Sequence, residues 1–77
     1  MNHDITKKLN MKFNKLGVSK IECYLETNGV LGNRWHTAAY VNKYSHMPIA
    51  TDDWHDLKIS LLSLLEKTER EINKRKL

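Results

Sequence analysis

Residues 51–76 run TDDWHDLKISLLSLLEKTEREINKRK, and the reading of this stretch decides the fold. Trp54, Leu57, Leu61, Leu64, Leu65 and Ile72 recur at steps of three and four, with Thr68 in the one gap. That spacing predicts a single long amphipathic helix whose apolar stripe must lie on another layer. Thr51 is read as its N-cap, and Asp52, Asp53 and Asp56 put negative charge at the positive helix end. Lys67, Arg70, Lys74, Arg75 and Lys76 suit the negative end.

Upstream lie the partners for that stripe. Ile5, Leu9, Phe13 and Leu16 predict a first helix from Asn2 or Asp4 to Leu16. Gly17 stands where a left-handed cap is wanted, followed by Val18 as its apolar partner. Lys20 to Thr27 then alternates: Ile21, Cys23 and Leu25 one way, Glu22, Tyr24 and Glu26 the other. Asn28-Gly29 and Gly32-Asn33 are turn signals, compatible with a tight turn plus bulge or with one longer loop. A second strand follows from Arg34 to Val41.

Charge suggests the register. With Trp35 beside Ile21, Cys23 and Leu25, the basic Arg34 and His36 fall on the face of Glu22 and Glu26. A slip of one residue would send Trp35 and Val41 among the glutamates. The expected core face is therefore Ile21, Cys23, Leu25, Trp35, Ala39 and Val41. Asn42 to His46 reads as a turn, and residues 47–50 as a short third strand held to an edge by Pro48. The expected fold class is α+β: a small two-layer domain, helix–strand–strand–(short strand)–helix. Its antiparallel sheet carries both helices on one face, and a single domain spans residues 1–77.

At this length one small core is expected, marginal unless well packed or completed by association. The chain is 40% hydrophobic and 29% charged, a globular rather than disordered balance. Its net charge of +4 favours acidic partners without demanding nucleic acid. The single Cys23 excludes an internal disulfide and suits a reducing compartment. The densest apolar run, residues 59–65, is far short of the ~20 residues that cross a bilayer. The opening residues lead into a lysine-rich amphipathic stretch rather than a signal core. A cytoplasmic protein without membrane contact is expected. Abundant Lys, Asn and Ile suggest an AT-rich coding sequence, as in many bacteria and their phages.

No catalytic motif is legible, so no enzyme activity and no cofactor are expected. Cys23 and His36 fall on opposite sheet faces, with no orienting third group. His46, Asp52, Asp53, His55 and Asp56 are the densest set of metal-ligand types, but they lack a zinc spacing, and the aspartates serve the helix dipole. Gly29 and Gly32 sit in a hairpin rather than before a helix, which argues against a phosphate loop. Two protein-binding surfaces stand out. One is the outer sheet face, with Tyr24, Arg34, His36 and Tyr40, residue types enriched at hot spots. The other is the pair Ile59 and Leu62, off the helix stripe, suited to a partner protein or a homodimer. Nucleic acid would instead meet Lys7, Lys8, Lys12, Lys15 and Lys20, or the basic end with Lys74, Arg75 and Lys76.

The order helix, hairpin, third strand, long helix resembles the double-stranded RNA-binding domain. That family clamps phosphates with lysines at the start of its last helix, where this chain reads Thr51-Asp52-Asp53-Trp54-His55-Asp56. Its first hairpin loop carries a Gly-Pro-x-His element, where this chain reads Asn28-Gly29-Val30-Leu31-Gly32-Asn33. In style, a tiny α+β domain with a docking surface and no catalytic motif resembles small phage and mobile-element inhibitors of host defence, anti-CRISPR proteins among them. The leading expectation is a non-catalytic module that docks on a partner protein. The alternative is a basic nucleic-acid-binding accessory or regulatory protein.

Overall fold

Five elements follow one another in the computed structural model, which describes residues 3–27, 32–42 and 46–75. They are helix α1 (His3–Lys15), strands β1 (Lys20–Glu26), β2 (Arg34–Tyr40) and β3 (Ala50–Trp54), and helix α2 (Leu57–Arg75). The strands form one antiparallel sheet in the order β1-β2-β3. Both helices lie on one face, with α2 over β2 and β3 and α1 beside α2. The Asn28-Gly29 turn, Ile5's side chain and Lys76 lie outside the described residues.

The end of α1 follows from its sequence. The Gly17 amide donates to the Asn14 carbonyl at 3.0 Å, and the Val18 amide to that of Phe13 at 3.0 Å. This is a Schellman closure, and it requires Gly17 at φ 85°, a conformation that any side chain would resist. Val18 then folds back on Phe13, and both enter the core with Ala39, Ile49 and Leu64. Leu16, Ile21, Ala50, Leu65 and Ile72 pack around them.

The β1–β2 register is the one charge suggested. Leu25 pairs with Trp35, Tyr24 with His36 and Glu26 with Arg34. The expected core face is on the helix side, but it is only partly covered. Because α2 lies over β2 and β3, Cys23 and Leu25 overhang and remain exposed. Val41 lies past the end of β2 and is exposed as well.

The third strand is Ala50–Trp54, later than residues 47–50, and it takes over the expected first turn of the long helix. Thr51 is therefore not an N-cap, and Trp54 is not on the helical stripe. Alternation won over capping signals here. Asp52 points inward to Lys67, and Asp53 points outward to Arg34, so both acids gain ion pairs as strand residues. The helix instead starts at Asp56, whose Oδ1 accepts the Ile59 amide at 3.0 Å while its carbonyl accepts that of Ser60. β3 does lie at a sheet edge, but Pro48 stands two residues before the strand, so its missing amide hydrogen is not the reason.

The stripe of α2 is rotated relative to its leucines. Its most buried line is Ser60, Leu64 and Thr68, while Leu57, Leu61, Leu65 and Ile72 are half-buried. The cause is polar: Thr37 and Asp52 face the helix from the sheet. Thr37 Oγ1 and Ser60 Oγ share a buried hydrogen bond of 2.8 Å. Thr68 satisfies its own hydroxyl by donating to the Leu64 carbonyl at 2.7 Å.

Candidate docking face

Opposite the helices, strand alternation brings Glu22, Tyr24, Glu26, Arg34, His36, Ala38, Thr51 and Asp53 onto one face that neither described helix covers. Tyr24 is its most prominent feature, at 63% exposure. Its ring stacks on His36, with centroids 4.7 Å apart and planes 19° from parallel. His36 Nε2 lies 2.9 Å from Glu26 Oε1, which fixes the imidazole beneath the tyrosine. Arg34 reaches across to β3, with Nη2 3.0 Å and Nε 3.2 Å from Asp53 Oδ2. Tyr24, Arg34 and His36 thus form one braced array, as their sequence parity implied.

Tyr40 departs from the expectation of an open tyrosine face. It is only 9% exposed. Its hydroxyl donates to Glu22 Oε1 at 2.7 Å, and Lys20 Nζ lies 4.4 Å from its ring centroid. The bond to Glu22, then burial and the Glu22 charge, all push the phenol pKa up. Tyr40 is thus a structural brace at the margin of the face rather than a contact surface. Lys20, nominated for nucleic acid, is occupied by that ring and by Glu22 at 3.8 Å. A shallow groove of about 460 Å³ crosses the face, lined among others by Tyr24, His36, Ala38, Pro48, Thr51 and Asp53.

Other nominated residues lie elsewhere. Ile59 and Leu62 are exposed on α2, in the other layer, and do not join the tyrosine array. Lys7, Lys8, Lys12 and Lys15 are exposed along α1, and none makes an ion pair among the described residues. Lys74 pairs with Glu71 at 3.2 Å, and Arg75 is exposed.

Cys23 faces the helix side and His36 the other, so they form no nucleophile–base pair. Burial pushes the Cys23 thiol up, away from the reactive thiolate. Asp52 points inward, Asp53 outward, and Asp56 caps a helix. Among the described residues no three His, Cys, Asp or Glu side chains converge for a metal. Nor is any described helix long and apolar enough to cross a membrane.

Sequence reasoning missed the inward pair Asp52–Lys67 and the bond Thr37–Ser60. The visible signal was Asp52 falling on the parity of Ala50 and Trp54, which would have marked a strand. Comparison with known protein families, curated proteins and solved structures found no match.

Proposed function

We propose that this chain is a non-catalytic docking module that occludes or bridges a partner protein through its outer sheet face. The observation that supports this is the array of Tyr24 stacked on His36 beside the Arg34–Asp53 fork. An exposed aromatic held rigid by its neighbours meets a partner with little entropy left to lose. The surrounding charge is net acidic, Glu22, Glu26 and Asp53 against Arg34, which disfavours a polyanion as the partner. Size, composition and this face together fit the style of small phage or mobile-element inhibitors of host defence. Affinity capture from host lysate, with and without nuclease, tests the reading. Tyr24→Ala is expected to release the captured protein about tenfold more readily without lowering the melting temperature. Capture that is unchanged by Tyr24→Ala and by Arg34→Glu would rule this face out.

A nucleic-acid reading rests on a separate observation, the exposed lysines of α1, which make no ion pair among the described residues. Binding there would weaken steeply with salt, and Lys8→Glu with Lys12→Glu would flatten that slope. Failure to retain DNA or RNA at low ionic strength ends it.

A further inference from the structure

The two edges of the sheet are treated differently. At the β3 edge, Pro48 stands just before the strand, the charged Asp52 points inward, and Lys67 Nζ reaches the Thr51 carbonyl at 3.5 Å. These are standard guards against strand addition. The β1 edge has none of them. It runs seven residues in unbroken register with β2, without proline or bulge, and its helix-side residues Ile21, Cys23 and Leu25 carry no charge. Among the described elements β2 is the close backbone neighbour of β1, while Ile21 packs against the core. Leu25, at 39%, and Cys23 are exposed there.

The sequence of β1, Lys20-Ile-Glu-Cys-Tyr-Leu-Glu26, is complementary to its own reverse. Laid antiparallel about Cys23, Lys20 falls opposite the partner's Glu26 and Ile21 opposite the partner's Leu25. Glu22 falls opposite the partner's Tyr24. Slipping two residues either way sets Glu22 against the partner's Glu22 or the partner's Glu26, so like charges meet. A slip of one residue sets apolar against polar side chains and turns the two sheets' helices to opposite sides. Among registers that pair five or more residues, the centred one alone matches charge with opposite charge and apolar with apolar.

We propose that β1 pairs with β1 of a second copy, antiparallel and centred on Cys23, fusing two three-stranded sheets into one of six strands. The pairing satisfies the open backbone groups of both edges and joins two exposed apolar strips, while both outer faces stay on one side of the continuous sheet. The interface is small, so the association is of the weak, exchanging class.

The test uses the full chain and its single thiol. Light scattering during gel filtration is expected to show a dimer that dissociates on dilution. Oxidation by copper phenanthroline is expected to convert it to a disulfide-linked dimer, since directly opposed Cβ atoms, about 4.5–5.5 Å apart, come within disulfide reach after a small shift. Lys20→Glu sets a second carboxylate against the partner's Glu26 and is expected to weaken association about tenfold. Adding Glu26→Lys restores opposite charges and is expected to recover both dimer and cross-link, with thermal melts confirming that each variant is folded. A protein that stays monomeric at high concentration overturns the proposal. So does a dimer whose Cys23 does not cross-link, or a charge swap that rescues nothing. None of these readouts involves a partner protein, so the docking role of the outer face stands or falls separately.

Discussion

Asp52 is the residue that most constrains this core. Its side chain is enclosed between β3 and α2, with Oδ1 accepting from Lys67 Nζ at 3.0 Å and from the Asp53 amide at 2.9 Å. Burial pushes its carboxyl up, but bonds from Ser63, Lys67 and the Asp53 amide, with the Lys67 charge, outweigh that and hold it below its ordinary value of 3.8. A folded-state value below the unfolded one means that the native protein binds fewer protons in that interval. The stabilisation is complete above the ordinary value and is lost as pH falls through the folded one. Urea melts at neutral and strongly acid pH are expected to show this loss in the parent and a shallower one in Asp52→Asn. Lys67→Met, which keeps the stem and removes the charge, is expected to cost roughly 1–3 kcal/mol at neutral pH by the same melts. At the Thr37–Ser60 bond, Ser60→Ala alone leaves the buried Thr37 hydroxyl only its longer, 3.3 Å donation to the Asp52 carbonyl and is expected to cost about 1 kcal/mol. The pair Ser60→Ala with Thr37→Val is expected to recover most of it.

At the scale of elements, the start of α2 is where reading and structure part. Thr51→Ala is expected to leave thermal stability unchanged within about 0.5 kcal/mol, whereas Asp56→Ala removes the working cap and costs about 1 kcal/mol. Gly17→Ala, which forces a side chain into φ 85°, is expected to lower stability by about 1–2 kcal/mol in the same melts. The element order, the hairpin register and the Schellman end of α1 were legible because each rests on local signals: alternation, charge parity, and a glycine followed by valine. The boundary at residues 51–56 was not, since Thr-Asp-Asp is a good helix start in isolation. Only pairing with β2, which gives Asp53 its Arg34 and Asp52 its place opposite Thr37, makes it a strand. Tyr40 was misjudged for a related reason. Parity names a face, but a flattened ring bonded to Glu22 is buried upon that face by its own neighbours.

The whole molecule is lopsided. Its closely packed centre gathers at one end of the sheet, around Ala39, Leu64 and Phe13, while the Trp35–Trp54–Leu25 end is thinly covered. Hydrogen exchange is expected to be slowest in β2 and the middle of α2 and fastest among strand amides in β1, because cover and contact decline in that order. Uniform protection across the three strands would show that the hairpin is held by something beyond β2. The candidate docking array was readable as a set of residue types on one parity. Its bracing was not, because the stack on His36 and the fork to Asp53 join side chains from three strands.

The Phe13–Leu64 contact ties the first helix to the middle of the last. A chain emerging from the ribosome therefore shows Phe13 and Val18 to water until the segment around Leu64 has also appeared. The intervening hairpin offers them Ala39 and the half-buried Ile21, but not the Leu64 side chain that completes the cluster. Compaction of this domain waits on synthesis of α2, and a stalled or truncated product lacking that helix is greasy, unfinished and ready prey for proteases.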